Sequence, residues 1–322
     1  MSCMFVAAAR RANDLSLGCR PSILRIVSAS RDLYRGRIAP SPTGYLHLGH
    51  ARTFWTAHER ARAAGGVLVF RNEDLDPHRS RAEYASAMLE DLRWLGIEWQ
   101  EGPDIGGPSA PYEQSRRRAH YLRAWRELVS GGYIYACGCS RKDLAQAAQA
   151  PHESDDEPLY PGTCRGRRLD RVPESPAGWN WRFRVPDGEA VGFDDLRQGR
   201  QEYVAGRDFG DFVVWRRDDV PAYQLAVVAD DAEMRITEVV RGVDLLRSTA
   251  RQILLQRALG LPSVGYYHCP LVTDGQGQRL AKRHDSLSLR SMRQRGISPA
   301  EIVAEFSSES ASSNHSGAGT SL

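Results

Sequence analysis

The sequence predicts an α/β protein built on a doubly wound parallel sheet, with a cysteine-bearing subdomain inserted into it. Three observations carry this expectation. The first patterned stretch reads strand, Pro/Gly turn, helix, strand, which is a βαβ opening. From Tyr133 to about Arg184 the chain changes character, with clustered cysteines, the acidic run His152 to Glu157 and several Pro and Gly residues. A second α/β stretch resumes near Phe212.

Taken in order, Leu33 to Ala39 reads as a strand running into the turn-rich segment Pro40-Ser41-Pro42-Thr43-Gly44. A helical period follows over His50 to Ala64, and Gly65-Gly66 stops it. Val67 to Phe70 is a buried strand, and Ser80 to Leu95 and Glu113 to Ser130 carry helical patterns. Beyond the insert come the segments Phe212 to Trp215, Ala222 to Val228 and Arg235 to Val240. A helix over Leu245 to Leu259 and a strand near Tyr266 to Val272 follow. The end, Ser307 to Leu322, is Ser- and Gly-rich and has no large apolar residue before Leu322, so disorder is expected there. The chain thus divides into an extension (1–32), a first half of the main fold (33–132), an insert (133–185), a second half (186–306) and a tail (307–322). No internal repeat is present.

Composition excludes several classes. The 322 residues carry 43 Lys+Arg against 40 Asp+Glu, with 41% hydrophobic content, and mean hydropathy is −0.48. With 8% aromatic and 26% charged residues, a mostly disordered chain is ruled out. No apolar run approaches the roughly 20 residues that cross a bilayer, so no membrane partner is expected. The net charge of +3 neither demands nor forbids nucleic acid. Lys142 and Lys282 are the only lysines, so a site needing an ammonium has two candidates in the chain. The run Met4 to Ala9 is shorter than the roughly 7–15 residues of a secretory signal core, so reduced thiols and a cytoplasmic location are expected. Arg10, Arg11, Arg20 and Arg25 face a single acid, Asp14. That pattern fits an organellar transit peptide, but a disordered extension or an upstream start codon is the preferred reading.

Two segments carry chemistry. His47-Leu48-Gly49-His50 opens a helix after a Pro/Gly-braced loop. A helix N-terminus offers free N–H groups and a positive dipole end, which suits phosphate. Two histidines three apart share one face of the first turn, and Gly49 lets a nucleotide approach the backbone. Alone, the pair reads equally as a metal pair or a chance pair. Far downstream, Gln278 to Asp285 follows the Gly-containing run Asp274-Gly275-Gln276-Gly277 and holds Lys282. A loop carrying an ammonium can stabilise charge on a reacting phosphate.

Together these segments resemble the "HIGH" and "KMSKS" signatures of class I aminoacyl-tRNA synthetases. Arg37-x-Ala39-Pro40-Ser41-Pro42-Thr43-Gly44 before the first, and Phe70-Arg71-Asn72-Glu73-Asp74-Leu75-Asp76 after it, are similar to the glutamyl/glutaminyl branch. The likeness runs from about Tyr34 to Glu305. Arg279 and Ala281 stand where the second signature usually has Lys and Ser, whereas Lys282 matches. The resemblance implies a Rossmann-like catalytic domain with ATP and Mg²⁺. It places Arg37, Ala39, Ser41, Tyr223 and Arg241 in a glutamate pocket and Glu73 on the α-ammonium. It gives His47, Gly49, His50 and Lys282 to ATP and catalysis. The chemistry is sensible, since a dicarboxylic amino acid needs guanidinium forks and one carboxylate for its amine.

Cys137, Cys139 and Cys164 suggest one structural, tetrahedral zinc, if a fourth ligand exists. His152 is the chemically obvious donor. The family resemblance instead implies Tyr160, four residues before the last cysteine, and that choice is preferred here. Thirty-nine residues follow Arg283, and the last sixteen are the Ser/Gly-rich tail, so no anticodon-binding domain of the usual 50 or more residues is expected. That shape resembles the truncated paralogues of glutamyl-tRNA synthetase, which implies activation of L-glutamate by ATP without tRNA and its transfer to the queuosine of tRNA(Asp). A monomer is expected. A catalytic fragment charging the tRNA 3′ end, and a non-catalytic zinc-containing tRNA-binding module, are the alternatives.

Overall fold

The computed structural model describes residues 33–139, 159–167, 171, 173–272 and 288–313, with backbone alone for 307–313. Residues 1–32, His152, Arg279, Ala281 and Lys282 lie outside the described residues. In chain order the first elements are β1 (Arg35–Ile38), α1 (Leu48–Ala63), β2 (Val67–Phe70), α2 (Ala82–Leu95), α3 (Arg118–Ser130) and β3 (Ile134–Cys137). Then come β4 (Asn180–Phe183), β5 (Ala190–Asp195), β6 (Gly199–Val204), β7 (Phe212–Trp215) and α4 (Tyr223–Glu233). The last are β8 (Glu238–Gly242), α5 (Leu246–Ala258), β9 (Gly265–Cys269), α6 (Leu289–Gln294) and α7 (Pro299–Ser313).

The βαβ opening is present. β1 and β2 run parallel with Arg35 opposite Val67, and α1 crosses between them. Gly66 has to be glycine: a Cβ there would stand 2.3 Å from the Tyr34 carbonyl oxygen, so the turn after α1 packs directly on the entry to β1. On its other side β1 leans on β8, where the Thr237 N–H donates to the Arg35 carbonyl at 2.9 Å. β8 pairs in parallel with β9 from Glu238 opposite Gly265. The core thus holds two parallel pairs, β2-β1 and β8-β9, with β1 lying beside β8 and the carboxyl ends of β1, β2 and β8 facing one side.

Three differences from the sequence reading have physical reasons. Tyr223 to Val228, in a segment to which the sequence reading assigned no element type, lie in helix α4 with Ala222 as its N-cap, since a short apolar run cannot by itself distinguish a buried helix from a buried strand. The hairpin β5–β6 was not foreseen. β6 is half-exposed and polar (Gly199 to Val204), and the hairpin extends the main sheet through Asp195 opposite Tyr266. The insert's sheet is antiparallel, β3-β4-β7, so Phe212–Trp215 pairs with the inserted strands rather than with the parallel core. A boundary at residue 185 consequently cuts between strands without separating the two sheets. Helix α7 also runs past Ser307 to Ser313, into the segment expected to be disordered.

The packing follows the elements. Trp125, Trp181 and Trp215 centre one core between α3, the inserted sheet and α4, with Trp125 and Trp181 edge-to-face at 5.0 Å. Ile38, Phe70, Leu92 and Val240 centre another beneath α1 and α2. Between them opens the cleft. Among the described residues no helix is long and apolar enough to cross a membrane.

Candidate active site

One cleft of about 1360 Å³ collects Arg37, Ala39, Ser41, His47, Gly49, His50, Glu73, Tyr223 and Arg241. Every described residue that the sequence reading gave to glutamate or ATP therefore lines it. The residues come from the carboxyl ends of β1, β2 and β8 and the first turns of α1 and α4, which is where ligands sit in open α/β sheets.

His47 is the N-cap of α1, and its Nδ1 accepts from the Gly49 N–H at 3.2 Å. The His50 ring stacks on that of His47 with centroids 3.8 Å apart, so the two imidazoles form one pad at the helix start. A Cβ on Gly49 would stand 3.1 Å from the His47 ring, so the glycine keeps this turn tight. Opposite, the chain leaves the described residues at Val272 and returns at Ser288, and both line the cleft. Ser288 bridges to His47, and the Leu289 N–H donates to the Leu46 carbonyl at 2.8 Å. Ser288 is thus held at the histidine pad.

The amino-acid end is a buried charge network. Arg37 is 4% exposed, and its Nη1 donates to the Val240 carbonyl at 2.9 Å. Its Nε lies 3.6 Å from Asp231 Oδ1 and makes no hydrogen bond among the described residues. Burial lowers the Arg37 pKa, with Asp231 opposing. Glu73 accepts from Arg71 Nη2 at 3.1 Å, and Arg71, fully buried, donates through Nη1 to Asp231 at 2.7 Å. Burial alone would lower the Arg71 pKa, but Asp231, Glu73 and Asp230 outweigh it and hold the guanidinium above its ordinary value. Burial pushes the Glu73 carboxyl up, only partly offset by Arg71 and Arg37. Asp230 is anchored in turn by Arg117, Gln114 and Tyr121 at 2.7, 2.7 and 2.9 Å. Across the pocket Arg241 donates to His268, Gln252 and Thr249, and Tyr223 stays 38% exposed.

The cysteine cluster sits at the rim, where Cys139 also lines the cleft. The Cys137, Cys139 and Cys164 sulfurs lie within 4.8 Å of one another. The Tyr160 hydroxyl is 3.4 Å from Cys137 Sγ and 3.5 Å from Cys139 Sγ, and Cys139 and Cys164 are 3.7 Å apart. Burial would raise the Cys164 thiol, but hydrogen bonds from the Gly138 N–H and the Tyr160 hydroxyl outweigh it and bring it down to about 7. The sequence reading brought these four residues together. It missed Asp230, Asp231, Asp195 and His268, whose partners lie far away in the chain. Two adjacent acids on an otherwise apolar helix were the available signal for the first pair.

This geometry has known relatives. The family model for class I tRNA synthetases (E and Q), catalytic domain, matches residues 34–309. The chain belongs to this family. It is a ligase of the aminoacyl-tRNA synthetase type. The synthetase is 49% identical over 277 residues to the glutamyl-Q tRNA(Asp) synthetase of Nitratidesulfovibrio vulgaris, covering 84% of each chain. It is 46% identical over 273 residues to glutamate–tRNA ligase 2 of Acidithiobacillus ferrooxidans, covering 83% of this chain and 56% of that one. Among solved structures, a glutamate tRNA ligase from Elizabethkingia meningosepticum in complex with its amino acid superposes with a TM-score of 0.68 at 30% identity. That match covers 82% of this chain and 53% of the ligase, so the synthetase spans about half the length of that relative.

Proposed function

We propose that the synthetase activates L-glutamate with ATP, without tRNA, and transfers the glutamyl group to the queuosine base at the wobble position of tRNA(Asp). The observation that carries the reading is the joint lining of one cleft by Arg37, Glu73, Tyr223 and Arg241 at one end and by His47, Gly49 and His50 at the other. Two buried guanidiniums and one buried carboxylate complement a dicarboxylic amino acid. A helix start with a stacked histidine pad complements phosphates. The glutamate α-carboxylate oxygen attacks the α-phosphorus of ATP as the bond to pyrophosphate breaks. A hydroxyl of the queuosine ring then attacks the resulting mixed anhydride and AMP leaves. His47 and His50 hold phosphate oxygens, and Lys282 stabilises the charge that develops on them. Mg²⁺ arriving with ATP supplies further charge neutralisation. Positioning does the rest, so no protein nucleophile is required.

Cys137, Cys139, Tyr160 and Cys164 would hold one structural zinc. Sulfurs bound at about 2.3 Å to one tetrahedral zinc stand about 3.8 Å apart, and a bound oxygen stands about 3.5 Å from each. The Cys139–Cys164 spacing of 3.7 Å and the 3.4 and 3.5 Å from the Tyr160 oxygen to Cys137 and Cys139 fit those edges, and all three sulfurs lie within 4.8 Å of one another.

The acceptor assignment is supported by the names of the relatives matched over 84% of both chains. The similarity to glutamate–tRNA ligase 2 keeps one rival, charging of the tRNA 3′ end. Pyrophosphate exchange with glutamate and no RNA tests activation. Labelled glutamate is then offered to tRNA(Asp) with or without queuosine, and to the queuosine-bearing tRNA trimmed of its 3′-terminal adenosine. Transfer that needs queuosine and survives trimming is expected. Efficient glutamylation of an unmodified tRNA(Glu) transcript establishes 3′-end charging instead, and no exchange at all leaves a non-catalytic binding module.

A further inference from the structure

Arg241 is held on three nitrogens before any substrate arrives. Its Nη2 donates to Thr249 Oγ1 at 2.7 Å and its Nη1 to Gln252 Oε1 at 2.8 Å. Gln252 is braced by Gln224 at 2.9 Å, so both grips come from the α4–α5 pair. The third grip is different in kind. Arg241 Nε lies 3.1 Å from Nε2 of His268, a fully buried histidine on β9. An arginine N–H only donates, so Nε2 accepts and the single ring proton sits on Nδ1. That proton points at Asp195 Oδ2, 2.6 Å away. Asp195 is itself fixed, because its Oδ1 accepts from the backbone N–H groups of Arg197, Gln198 and His268 at 3.0, 2.8 and 3.3 Å. Neither Asp195 nor His268 lines the cleft.

We propose that Asp195 and His268 are positioning residues that set Arg241 for the substrate carboxylate, an inference that rests on the glutamate-activating reading above. Asp195 fixes the tautomer of His268 and its ring angle. His268 then offers a lone pair, not a proton, to Arg241, and the same Nε2 lies 3.2 Å from Thr249 Oγ1, which holds Arg241 Nη2. Burial first, and the charge of Arg241 second, push the His268 pKa down to about 4 against the opposing pull of Asp195, so the ring stays neutral beside the guanidinium. The N–H bonds of Arg241 not consumed by these partners remain for a carboxylate, and the plane of the guanidinium is set before binding. Without His268 the Nε donor is left buried and unsatisfied, and the guanidinium turns to satisfy it. The hairpin β5–β6, which supplies Asp195 and no lining residue, thereby acts on the pocket through one hydrogen-bonded chain.

The test is steady-state pyrophosphate exchange by the full chain and by His268→Phe, His268→Gln, Asp195→Asn, Arg241→Ala and the double variant His268→Phe/Arg241→Ala. His268→Phe should raise the KM for glutamate roughly tenfold, the scale of one hydrogen bond to a charged group, with the KM for ATP within about twofold of the parent. His268→Gln, whose amide oxygen can accept from Arg241, should recover most of that loss. The double variant should be no worse than Arg241→Ala, because both changes remove the same interaction. Equal rises in both KM values, or additive losses in the double variant, show a merely structural role and overturn the inference. Should His268→Phe fail to fold, Asp195→Asn decides: a smaller rise confined to the glutamate KM supports positioning, and an unchanged value refutes it. A parent protein that exchanges no pyrophosphate with glutamate brings down the activation reading and this inference together. An active parent with an indifferent His268→Phe brings down this inference alone.

Discussion

Glu73 is a carboxylate that the fold makes costly to ionise and that its proposed task requires ionised. Burial raises its pKa, and Arg71 and Arg37 pull it back only in part. A proton on Glu73 competes with the substrate ammonium, so affinity is lost as pH falls through the raised pKa. The glutamate KM should therefore climb on acidification with a midpoint above the ordinary carboxylate range, while the KM for ATP follows a different profile. Glu73→Gln should raise the neutral-pH KM by roughly a hundredfold, the scale of about 3 kcal/mol for removing one partner of a desolvated charge pair. It should also flatten the pH dependence. A variant that retains the parent profile would show that Glu73 does not meet the ammonium. At this scale the sequence was informative where chemistry sits in one short segment, as in Arg71-Asn72-Glu73. It was silent on Asp231 beneath Arg71 and Asp195 beside His268, because those contacts span 160 and 73 residues and neither strand nor helix periodicity encodes them.

The loop elements show the same division. The strand Val67–Phe70 and the helix starting beside His50 were readable from an apolar run and a Gly/Pro turn. The pairing of Phe212–Trp215 with the inserted sheet was not, since partner choice is decided by tertiary packing. The cysteine loop was legible because thiol spacing is rare enough to be diagnostic. It yields a prediction at its own scale. Purified protein should carry about one zinc, and Cys139→Ser should lose it along with thermal stability, because a structural zinc site contributes folding energy outright. Tyr160→Phe should hold the metal more weakly, as read by chelator competition and metal analysis. Full zinc content in Cys139→Ser would sink the assignment, and unchanged affinity in Tyr160→Phe would redirect the fourth position to His152.

Across the whole molecule charge is nearly balanced, at 43 basic against 40 acidic side chains, so binding a triphosphate has to be a local achievement. On the proposed reading the cleft achieves it by gathering residues from segments far apart in the chain. The histidine pad comes from the start of α1, and Val272 and Ser288 line the same cleft. The sequence between those two residues carries the second signature. Lys282 belongs to that stretch and is one of only two lysines in 322 residues. An ammonium acting on phosphate as charge develops lowers the barrier without tightening amino-acid binding. Lys282→Ala should thus slow pyrophosphate exchange by about 10²-fold or more, the loss seen when one charge-stabilising donor is removed from a transition state. The glutamate KM should change little, because the proposed function gives the amino acid to Arg37, Glu73 and Arg241 at the other end of the cleft. Lys282→Arg should recover part of the rate, since it restores charge without the compact geometry of an ammonium. A normal rate in Lys282→Ala would strip the residue of its role and pass it to Arg279 or Arg283, the neighbouring cations in the same stretch.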